Sequence, residues 1–153
     1  MHRKRVREIM HAPVITVTPE TLAAEAAALL EEHGIRRLPV VDEQGHLIGI
    51  ATHTDLVEAE VAESQINPYD PAFDEEWLTV QDVMTEDVVT IGPEATVGEL
   101  VQLMLESKTS GIPVVEPDPR APTKLRVVGM VTETDIFRMI LAGWQAEDAA
   151  AHE

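Results

Sequence analysis

Apolar and polar positions in the first third of the chain alternate between two periods, which predicts short strands joined by amphipathic helices. The β-branched run Val14-Ile15-Thr16-Val17 predicts a first strand. Apolar residues at helical spacing from Leu22 to Leu30 predict a helix, and Gly34 is suited to end it. Two apolar runs, Leu38 to Val41 and Leu47 to Ile50, flank a short glycine-containing turn and predict a hairpin. A second helix should follow this hairpin.

Side chains with capping potential mark the expected helix ends. Thr18, followed by Pro19, can cap the first long helix. The helix after the hairpin should run from about Asp55 to Ser64, and its counterpart late in the chain from about Asp135 to Trp144.

The same order of elements occurs twice. An offset of 74 residues aligns Val6 to Met10 with Val80 to Met84, and Leu38 to Val41 with Ile112 to Val115. Beyond these strands the offset becomes 80, because the second copy has a longer loop with three prolines from Glu116 to Arg126. The aligned methionines Met10 and Met84 are expected to fill the core. The repeat predicts an α/β (α+β) fold of two pseudo-symmetric β-α-β-β-α units packed sheet to sheet.

The repeat also divides the chain. We assign residues 4–65 to the first repeat, 66–79 to a linker, 80–142 to the second repeat and 143–153 to an acidic C-terminal tail. A unit of about 55 residues is near the lower limit for an independent core, so neither half should be stable alone. The linker holds Tyr69, Phe73 and Trp77, which either pin it to the domain surface or cap a ligand or a dimer contact.

Each repeat ends its second hairpin strand with the same turn. Gly49-Ile-Ala-Thr-His-Thr-Asp55 is echoed by Gly129-Met-Val-Thr-Glu-Thr-Asp135. One interpretation is a capping box, in which the first threonine and the aspartate close a helix start. Capping does not require the second threonine or the glycine. The other interpretation is a nucleotide site, because two hydroxyls at a helix N-terminus suit a phosphate and a carboxylate suits ribose hydroxyls.

Composition narrows the classes of function. The formal net charge of −17 is the reverse of a nucleic-acid-binding footprint, and no apolar run is long enough to span a membrane. Cysteine is absent, which removes thiolate catalysis and zinc–thiolate sites. The six histidines lack the spacing of a helical metal site, and no catalytic constellation stands out. We therefore expect no enzyme, no metal, no nucleic acid and no membrane, with a cytoplasmic location as the default.

The repeated turn and the hydrophobic-Pro-Val-Val strand together resemble the CBS domain, and two in tandem resemble a CBS pair, or Bateman module. The resemblance covers about residues 4–65 and 78–142. It implies a regulatory module with two clefts between the repeats, often binding an adenosine nucleotide such as AMP, ADP or ATP, sometimes S-adenosylmethionine, and sometimes no known ligand. It also implies a disc made of two pairs, so we expect a homodimer.

The resemblance assigns roles position by position. The aspartates would contact ribose, the threonines of the turn would contact phosphate or ribose, and the starts of the hairpin strands would line the base pocket. The implied ligand-binding residues are Thr16, Arg36, Arg37, Leu38, Pro39, Thr52, Thr54 and Asp55 in the first repeat, and Thr90, Ser110, Gly111, Ile112, Pro113, Thr132, Thr134 and Asp135 in the second. A cation beside the first site and an acid, Glu133, beside the second predict that the first site prefers the more phosphorylated ligand. The alternative is that Arg36 and Arg37 are simply exposed residues at the strand entry.

Two functions remain open from the sequence. The first is a stand-alone sensor of an adenosine nucleotide in one or both clefts, acting on a regulated protein that the sequence does not identify. The alternative is a ligand-free module for dimerisation or partner docking.

Overall fold

The computed structural model describes residues 2–64 and 78–151. The aromatic residues of the predicted linker lie outside this part of the chain. In chain order the elements are α1 (Val6–Ile9), α2 (Ala23–His33), β1 (Arg37–Val41), β2 (Leu47–Thr52), α3 (His53–Ser64), α4 (Val80–Val83), α5 (Val97–Ser107), β3 (Gly111–Asp118), β4 (Ala121–Thr132) and α6 (Glu133–Ala151). The predicted α+β fold class is confirmed by this mixture of helices with two antiparallel hairpins.

The chain forms two compact units that do not follow the repeat boundaries. Unit 1 consists of residues 1–14 and 89–153, and unit 2 consists of residues 15–88. The short N-terminal segment of each repeat, carrying α1 or α4, therefore belongs with the body of the other repeat.

Backbone hydrogen bonds fix this exchange of segments in the same way in both units. In unit 1, Val6 N donates to Ala95 O at 2.8 Å, and Val97 N donates to Lys4 O at 2.8 Å. In unit 2, Val80 N donates to Thr21 O at 2.8 Å, and Ala23 N donates to Leu78 O at 2.9 Å. These pairs are related by the offset of the sequence repeat.

Each unit encloses its own apolar core. The core of unit 2 contains Leu30, Leu38 and Val40 together with Val80 of the exchanged segment. The core of unit 1 contains repeat-equivalent residues, among them Met104, Ile112 and Val114, together with Val6. Val6 and Val80 are both 0% exposed, so each exchanged segment inserts a buried side chain.

Both hairpins are antiparallel, and the predicted pairing of Leu38 to Val41 with Leu47 to Ile50 is confirmed. In unit 2, Arg37 faces Thr52 and Pro39 faces Ile50. The predicted turn after β1 is confirmed: Asp42 Oδ1 accepts hydrogen bonds of 2.9 Å from the backbone N–H groups of Gln44 and His46.

The predicted first strand of each repeat is shortened to one parallel bridge. Val17 pairs with Val40, and Ile91 pairs with Val114. Val17 N donates to Pro39 O and Val41 N donates to Val17 O, so the next rung of the parallel ladder would need the N–H of Pro39. Proline has no N–H. Pro113 ends the ladder of Ile91 for the same reason, and the prolines thus limit these strands to a bridge.

The prediction of a long surface loop in the second repeat is wrong. β3 and β4 continue through it as an extended hairpin in which Pro117 faces Leu125 and Glu116 faces Arg126. An ion pair joins the side chains of Glu116 and Arg126. The prolines of this stretch are tolerated because the sheet has only two strands and the bridges described from other segments reach Val114 and Met130, not the extended end of the hairpin.

Helix boundaries also differ from the predictions. α2 begins at Ala23 instead of directly after Thr18, and its N-cap residue Leu22 makes no side-chain cap. The first helical N–H is satisfied instead by Leu78 O of the exchanged segment, which the local sequence does not reveal. Gly34 ends α2 with a φ of 62°, as predicted. α6 continues past Trp144 to Ala151, through much of the stretch assigned to an acidic tail.

Candidate functional site

The turn before α3 forms a capping box. Thr52 N donates to Asp55 Oδ2 at 3.1 Å, and Asp55 N donates to Thr52 Oγ1 at 3.1 Å. Two backbone donors at the helix start are thereby satisfied, and the carboxylate lies at the positive end of the helix dipole. Thr54 is exposed and takes no part in this capping box.

The turn before α6 uses the equivalent residues Thr132 and Asp135, and His11 makes an additional contact with the aspartate. Thr132 N donates to Asp135 Oδ2 at 2.8 Å, and Thr132 Oγ1 donates to the same oxygen at 3.2 Å. His11 Nδ1 lies 3.3 Å from Asp135 Oδ1. Asp135 is 8% exposed, and its carboxylate is contacted by Thr132 through Oδ2 and by His11 through Oδ1. Thr134 is exposed like its counterpart Thr54.

Methionine side chains explain the two glycines of the repeated turn. A Cβ at Gly49 would lie 2.7 Å from Met84 Sδ and 3.1 Å from Thr85 O. A Cβ at Gly129 would meet the side chain of Met10, with Cγ at 3.0 Å. Both methionines pack against the core of their unit, as predicted. The group that approaches the strand is therefore a methionine, and the glycines give no support to a ligand.

Three segments converge beside each helix start. In unit 2, His53 N donates to Arg36 O at 2.7 Å, and Val17 N donates to Pro39 O at 3.1 Å. In unit 1, Glu133 N donates to Ser110 O at 2.9 Å. The backbone thus brings each unit's candidate positions together: Thr16, Arg36, Arg37, Leu38, Pro39, Thr52, Thr54 and Asp55 in unit 2, and Thr90, Ser110, Gly111, Ile112, Pro113, Thr132, Thr134 and Asp135 in unit 1.

The candidates differ in what they can present to a ligand. Leu38 and Ile112 are 0% exposed and belong to the two cores, so their side chains are occupied by packing. Arg36 is exposed, whereas Arg37 is half-buried. The exposed polar residues of the predicted ligand set are Thr16, Arg36, Thr54 and Thr134, and the last two of these lie at the helix starts.

A cavity of about 380 Å³ lies in unit 2 between the end of α2 and the start of α3. Its walls combine apolar side chains with Glu31, Arg36 and His53. Arg36 is the one residue of the predicted ligand set that lines this cavity, so most of that set lies outside it.

A larger groove of about 740 Å³ lies in unit 1 between the N-terminal segment and α6. Asp135 lines it together with Lys4, Glu8, His11 and Arg138. The sequence does not predict that Lys4 and His11 lie here, because the exchange of N-terminal segments is not encoded in their spacing. Arg138 lies three residues after Asp135 on α6, so its helical spacing could have indicated it. Lys4 and Arg138 give the second helix start cationic neighbours, which the sequence pattern predicts only beside the first.

The described residues offer no cluster of His, Asp or Glu side chains that could hold a metal ion. Among the same residues, none of the helices is both long and apolar enough to cross a bilayer.

Two copies of one α+β repeat, each with a capped helix start and an additional exposed threonine, define a tandem-repeat module. The CBS domain matches residues 6–62 and 80–142, and the chain belongs to the CBS domain family as a tandem pair. The predicted resemblance is confirmed.

Curated relatives include proteins of different kinds. A CBS domain-containing protein of Dictyostelium discoideum is 31% identical over 142 residues, which are 89% of this chain and 90% of that protein. An inosine-5'-monophosphate dehydrogenase of Korarchaeum cryptofilum is 35% identical over 88% of this chain. An L-aspartate semialdehyde sulfurtransferase of Methanocaldococcus jannaschii is also 35% identical over 88% of this chain. The chain spans only 24% and 23% of these two enzymes.

Solved structures share the fold over most of the chain. The CBS domain pair of protein MJ0100, in complex with 5'-methylthioadenosine and S-adenosyl-L-methionine, has a TM-score of 0.73 and 32% identity, covering 92% of this chain and 98% of that one. The AcuB acetoin utilization protein of Vibrio cholerae has a TM-score of 0.76 at 24% identity, with 95% and 96% covered. The second likeness concerns the fold alone.

Proposed function

We propose that the chain is a regulatory module that binds an adenosine-containing ligand at the start of α3, of α6 or of both. The observation that carries the proposal is the pair of exposed threonines, Thr54 and Thr134. They occupy the same place in both units, at a helix N-terminus whose capping is done by other side chains. Hydroxyl groups and backbone N–H groups at such a position suit an anionic or polar ligand.

The family relationship supports adenosine as the shared part of the ligand. The MJ0100 pair, at 32% identity, is in complex with two adenosine compounds that carry no phosphate. In our proposal Asp55 and Asp135 bind the ribose through Oδ1, because Oδ2 is used in capping. At Asp135 the ribose would share Oδ1 with His11 Nδ1, which lies 3.3 Å from this oxygen. The threonines bind the substituent on the 5' carbon, which is phosphate in AMP, ADP or ATP.

The expected preference of the first site for the more phosphorylated ligand is not part of the proposal. Arg36 lies near the start of α3, but Lys4 and Arg138 line the groove beside Asp135. Both helix starts therefore have cationic neighbours, and the difference in charge between the sites is smaller than the hairpin strands alone suggest.

The module is proposed to act without catalysis. The enzymes among its relatives are matched over about a quarter of their length, so their reactions require parts that this alignment does not include. A ligand changes the state of such a module only if it binds one state more tightly than the other. A cytoplasmic location and a regulated protein partner stay predictions.

The alternative function is dimerisation or partner docking without a ligand. It is favoured by the apolar side chains that α5 and α6 expose. A homodimer is compatible with both functions, so ligand binding is the property that distinguishes them.

Isothermal titration calorimetry with AMP, ADP, ATP, S-adenosylmethionine and 5'-methylthioadenosine tests the proposal. We expect at least one of them to bind. For a phosphate ligand, Thr54→Val or Thr134→Val should weaken binding at its own site about tenfold or more, because a hydrogen bond to a charged group contributes roughly 1.5–3 kcal/mol. Thr123→Val, which changes an exposed threonine of β4, is the matched control and should leave binding unchanged.

Each negative outcome has a separate meaning. Absence of binding by all five compounds at millimolar concentration would exclude the adenosine sensor and favour the alternative. Binding that is unchanged in the Thr54→Val/Thr134→Val double variant would show that the ligand lies elsewhere. Binding of the two phosphate-free compounds alone would keep the adenosine class and reject the nucleotides.

A further inference from the structure

The cavity between the end of α2 and the start of α3 is a feature of unit 2 that adenosine binding does not use. Its volume is about 380 Å³. His53, Leu56 and Val57 line it from α3, and their spacing of i, i+3 and i+4 puts them on one face of this helix. Thr54 and Asp55, the α3 residues of the proposed adenosine site, lie on other faces and do not line the cavity. The cavity is therefore a separate place for a ligand.

The floor of the cavity is apolar. Leu30 and Leu56 are buried in the core of unit 2, and Ala27, Ile35 and Val57 extend the apolar lining towards the surface. A ligand with a short hydrocarbon group can bury it against these side chains, which removes apolar surface from water.

Two side chains of opposite charge lie at the rim of the cavity. Glu31 is in the last turn of α2, and Arg36 follows two residues after Gly34, which ends this helix. Both are exposed, and among the residues that the structure describes neither of them forms an ion pair. Their charges are thus available to a ligand that carries both an anionic and a cationic group.

The two helix ends favour the same arrangement of charge. The C-terminus of α2, beside Glu31, is the negative end of a helix dipole and attracts a cation. The start of α3 is the positive end of another dipole, and Arg36 is joined to it because His53 N donates to Arg36 O at 2.7 Å. An ammonium group is therefore favoured near Glu31 and a carboxylate near Arg36.

The net charge of unit 2 distinguishes a zwitterion from a simple anion. Unit 2 contains two Lys and Arg residues and seventeen Asp and Glu residues, which gives a net charge of −15. Such a charge repels an anion, whereas a zwitterion has no net charge and is not repelled. Arg36 is one of the two basic residues of this acidic unit, and it lies at the cavity.

The equivalent positions of unit 1 hold larger or uncharged residues. By the repeat offsets, Ala27, Glu31, Arg36 and Val57 correspond to Val101, Leu105, Ser110 and Phe137. The larger side chains take up volume on the apolar side, and both rim charges are missing. These differences assign the ligand to unit 2 alone.

We propose that this cavity binds a free α-amino acid with a short apolar side chain, such as leucine, isoleucine, valine or methionine. The carboxylate of the amino acid pairs with Arg36, whose guanidinium can hold it through two hydrogen bonds. The ammonium group pairs with Glu31, and the side chain packs against Leu30 and Leu56. This inference goes beyond adenosine binding and does not rest on it.

Titration of the nitrogen-labelled full chain with L-leucine, followed by heteronuclear NMR, tests the proposal. We expect the backbone amide signals of Leu30, Ile35 and Val57 to shift. Isocaproate is leucine without its amino group, and isoamylamine is leucine without its carboxylate. Each should bind at least about tenfold more weakly than leucine, because one of the two charged pairs is lost.

Variants of the two rim residues separate a direct contact from a structural effect. Glu31→Gln should weaken leucine binding at least about tenfold without weakening that of isocaproate. Arg36→Gln should weaken leucine binding by a similar factor without weakening that of isoamylamine. Glu32→Gln removes the neighbouring exposed charge of α2, which does not line the cavity, and is the matched control that should leave leucine binding unchanged. Val57→Phe introduces the residue type of unit 1 and should weaken leucine binding by narrowing the cavity.

Several results would overturn the proposal. One is the absence of any shift up to the solubility limits of leucine, isoleucine, valine and methionine. Another is isocaproate or isoamylamine binding as tightly as leucine, which would make the cavity a site for a simple anion or a simple cation. Equal weakening by Glu31→Gln and Glu32→Gln would also reject it, because the effect would then come from the charge of α2 and not from contact with the ammonium group.

Discussion

Unit 1 and unit 2 agree where the chain is buried and differ where it meets water. Both contain a buried valine from the exchanged segment, a proline that ends a parallel bridge, and a methionine lying on a glycine. Their surfaces diverge in net charge, in the length of the hairpin and in the groups around the helix start. The repeat therefore preserves the positions that build the unit, whereas the surfaces of the two units have diverged.

The largest difference between the two units should follow from substitutions in the exchanged segments. Val6→Asp and Val80→Asp each place a carboxylate in a site that is 0% exposed, which should cost roughly 3–5 kcal/mol of unfolding free energy. Val6 belongs to the core of unit 1 and Val80 to that of unit 2. Hydrogen exchange should therefore accelerate mainly in β3, β4 and α5 for Val6→Asp, and mainly in β1, β2 and α2 for Val80→Asp.

The two variants control each other. If Val6→Asp accelerated exchange mainly in β1, β2 and α2, and Val80→Asp mainly in β3, β4 and α5, the segments would not be exchanged. The milder pair Val6→Ala and Val80→Ala, at roughly 2 kcal/mol each, keeps the test usable if a charged variant does not fold.

Local chemistry made much of each unit predictable. The hairpins, the turn at Asp42 and the end of α2 at Gly34 follow from short-range pattern and turn residues. The exchange of segments was not predictable in this way, because the hydrogen bonds of Val6 and Val80 join residues far apart in sequence. The sequence pattern is the same whether each N-terminal segment packs on its own repeat or on the other.

The candidate site was predictable to a similar degree. The capping roles of Thr52 and Asp55 follow from their spacing, and so does their equivalence to Thr132 and Asp135. His11 could not be assigned to this site from sequence, since its contact with Asp135 spans 124 residues and depends on the exchange.

Substitution of the glycines of the repeated turn, Gly49 and Gly129, should have an effect of intermediate size on stability. Gly49→Ala and Gly129→Ala each force a new Cβ against a methionine, and overpacking of this kind typically costs about 1–3 kcal/mol. At Gly129 the nearest atoms all belong to the flexible Met10 side chain, but at Gly49 the backbone oxygen of Thr85 is also close.

Double-mutant cycles measured by urea denaturation should separate these two cases. In the Met10→Ala background, Gly129→Ala should lower the unfolding free energy by about 1 kcal/mol less than in the wild type, because the obstructing side-chain atoms are removed. In the Met84→Ala background, the destabilisation caused by Gly49→Ala should be reduced by a smaller amount, because Thr85 O remains in place. Equal coupling in both units would mean that the backbone contact at Gly49 has no energetic weight.

The smallest expected difference concerns the caps of the two long helices that precede the hairpins. At α5, Thr96 Oγ1 accepts from Glu99 N at 3.2 Å, and Glu99 Oε2 accepts from Thr96 N at 3.0 Å. Thr96→Ala should therefore cost about 1 kcal/mol of unfolding free energy. At α2 the sequence suggests Thr18 as the cap, yet the helix starts at Ala23 and Thr18 contacts only the nearby Thr21 among the bonds described. Thr18→Ala should change stability by less than about 0.5 kcal/mol in the same urea titration. A loss at Thr18 as large as that at Thr96 would mean that the helix start of unit 2 depends on its own threonine and not on Leu78 of the exchanged segment.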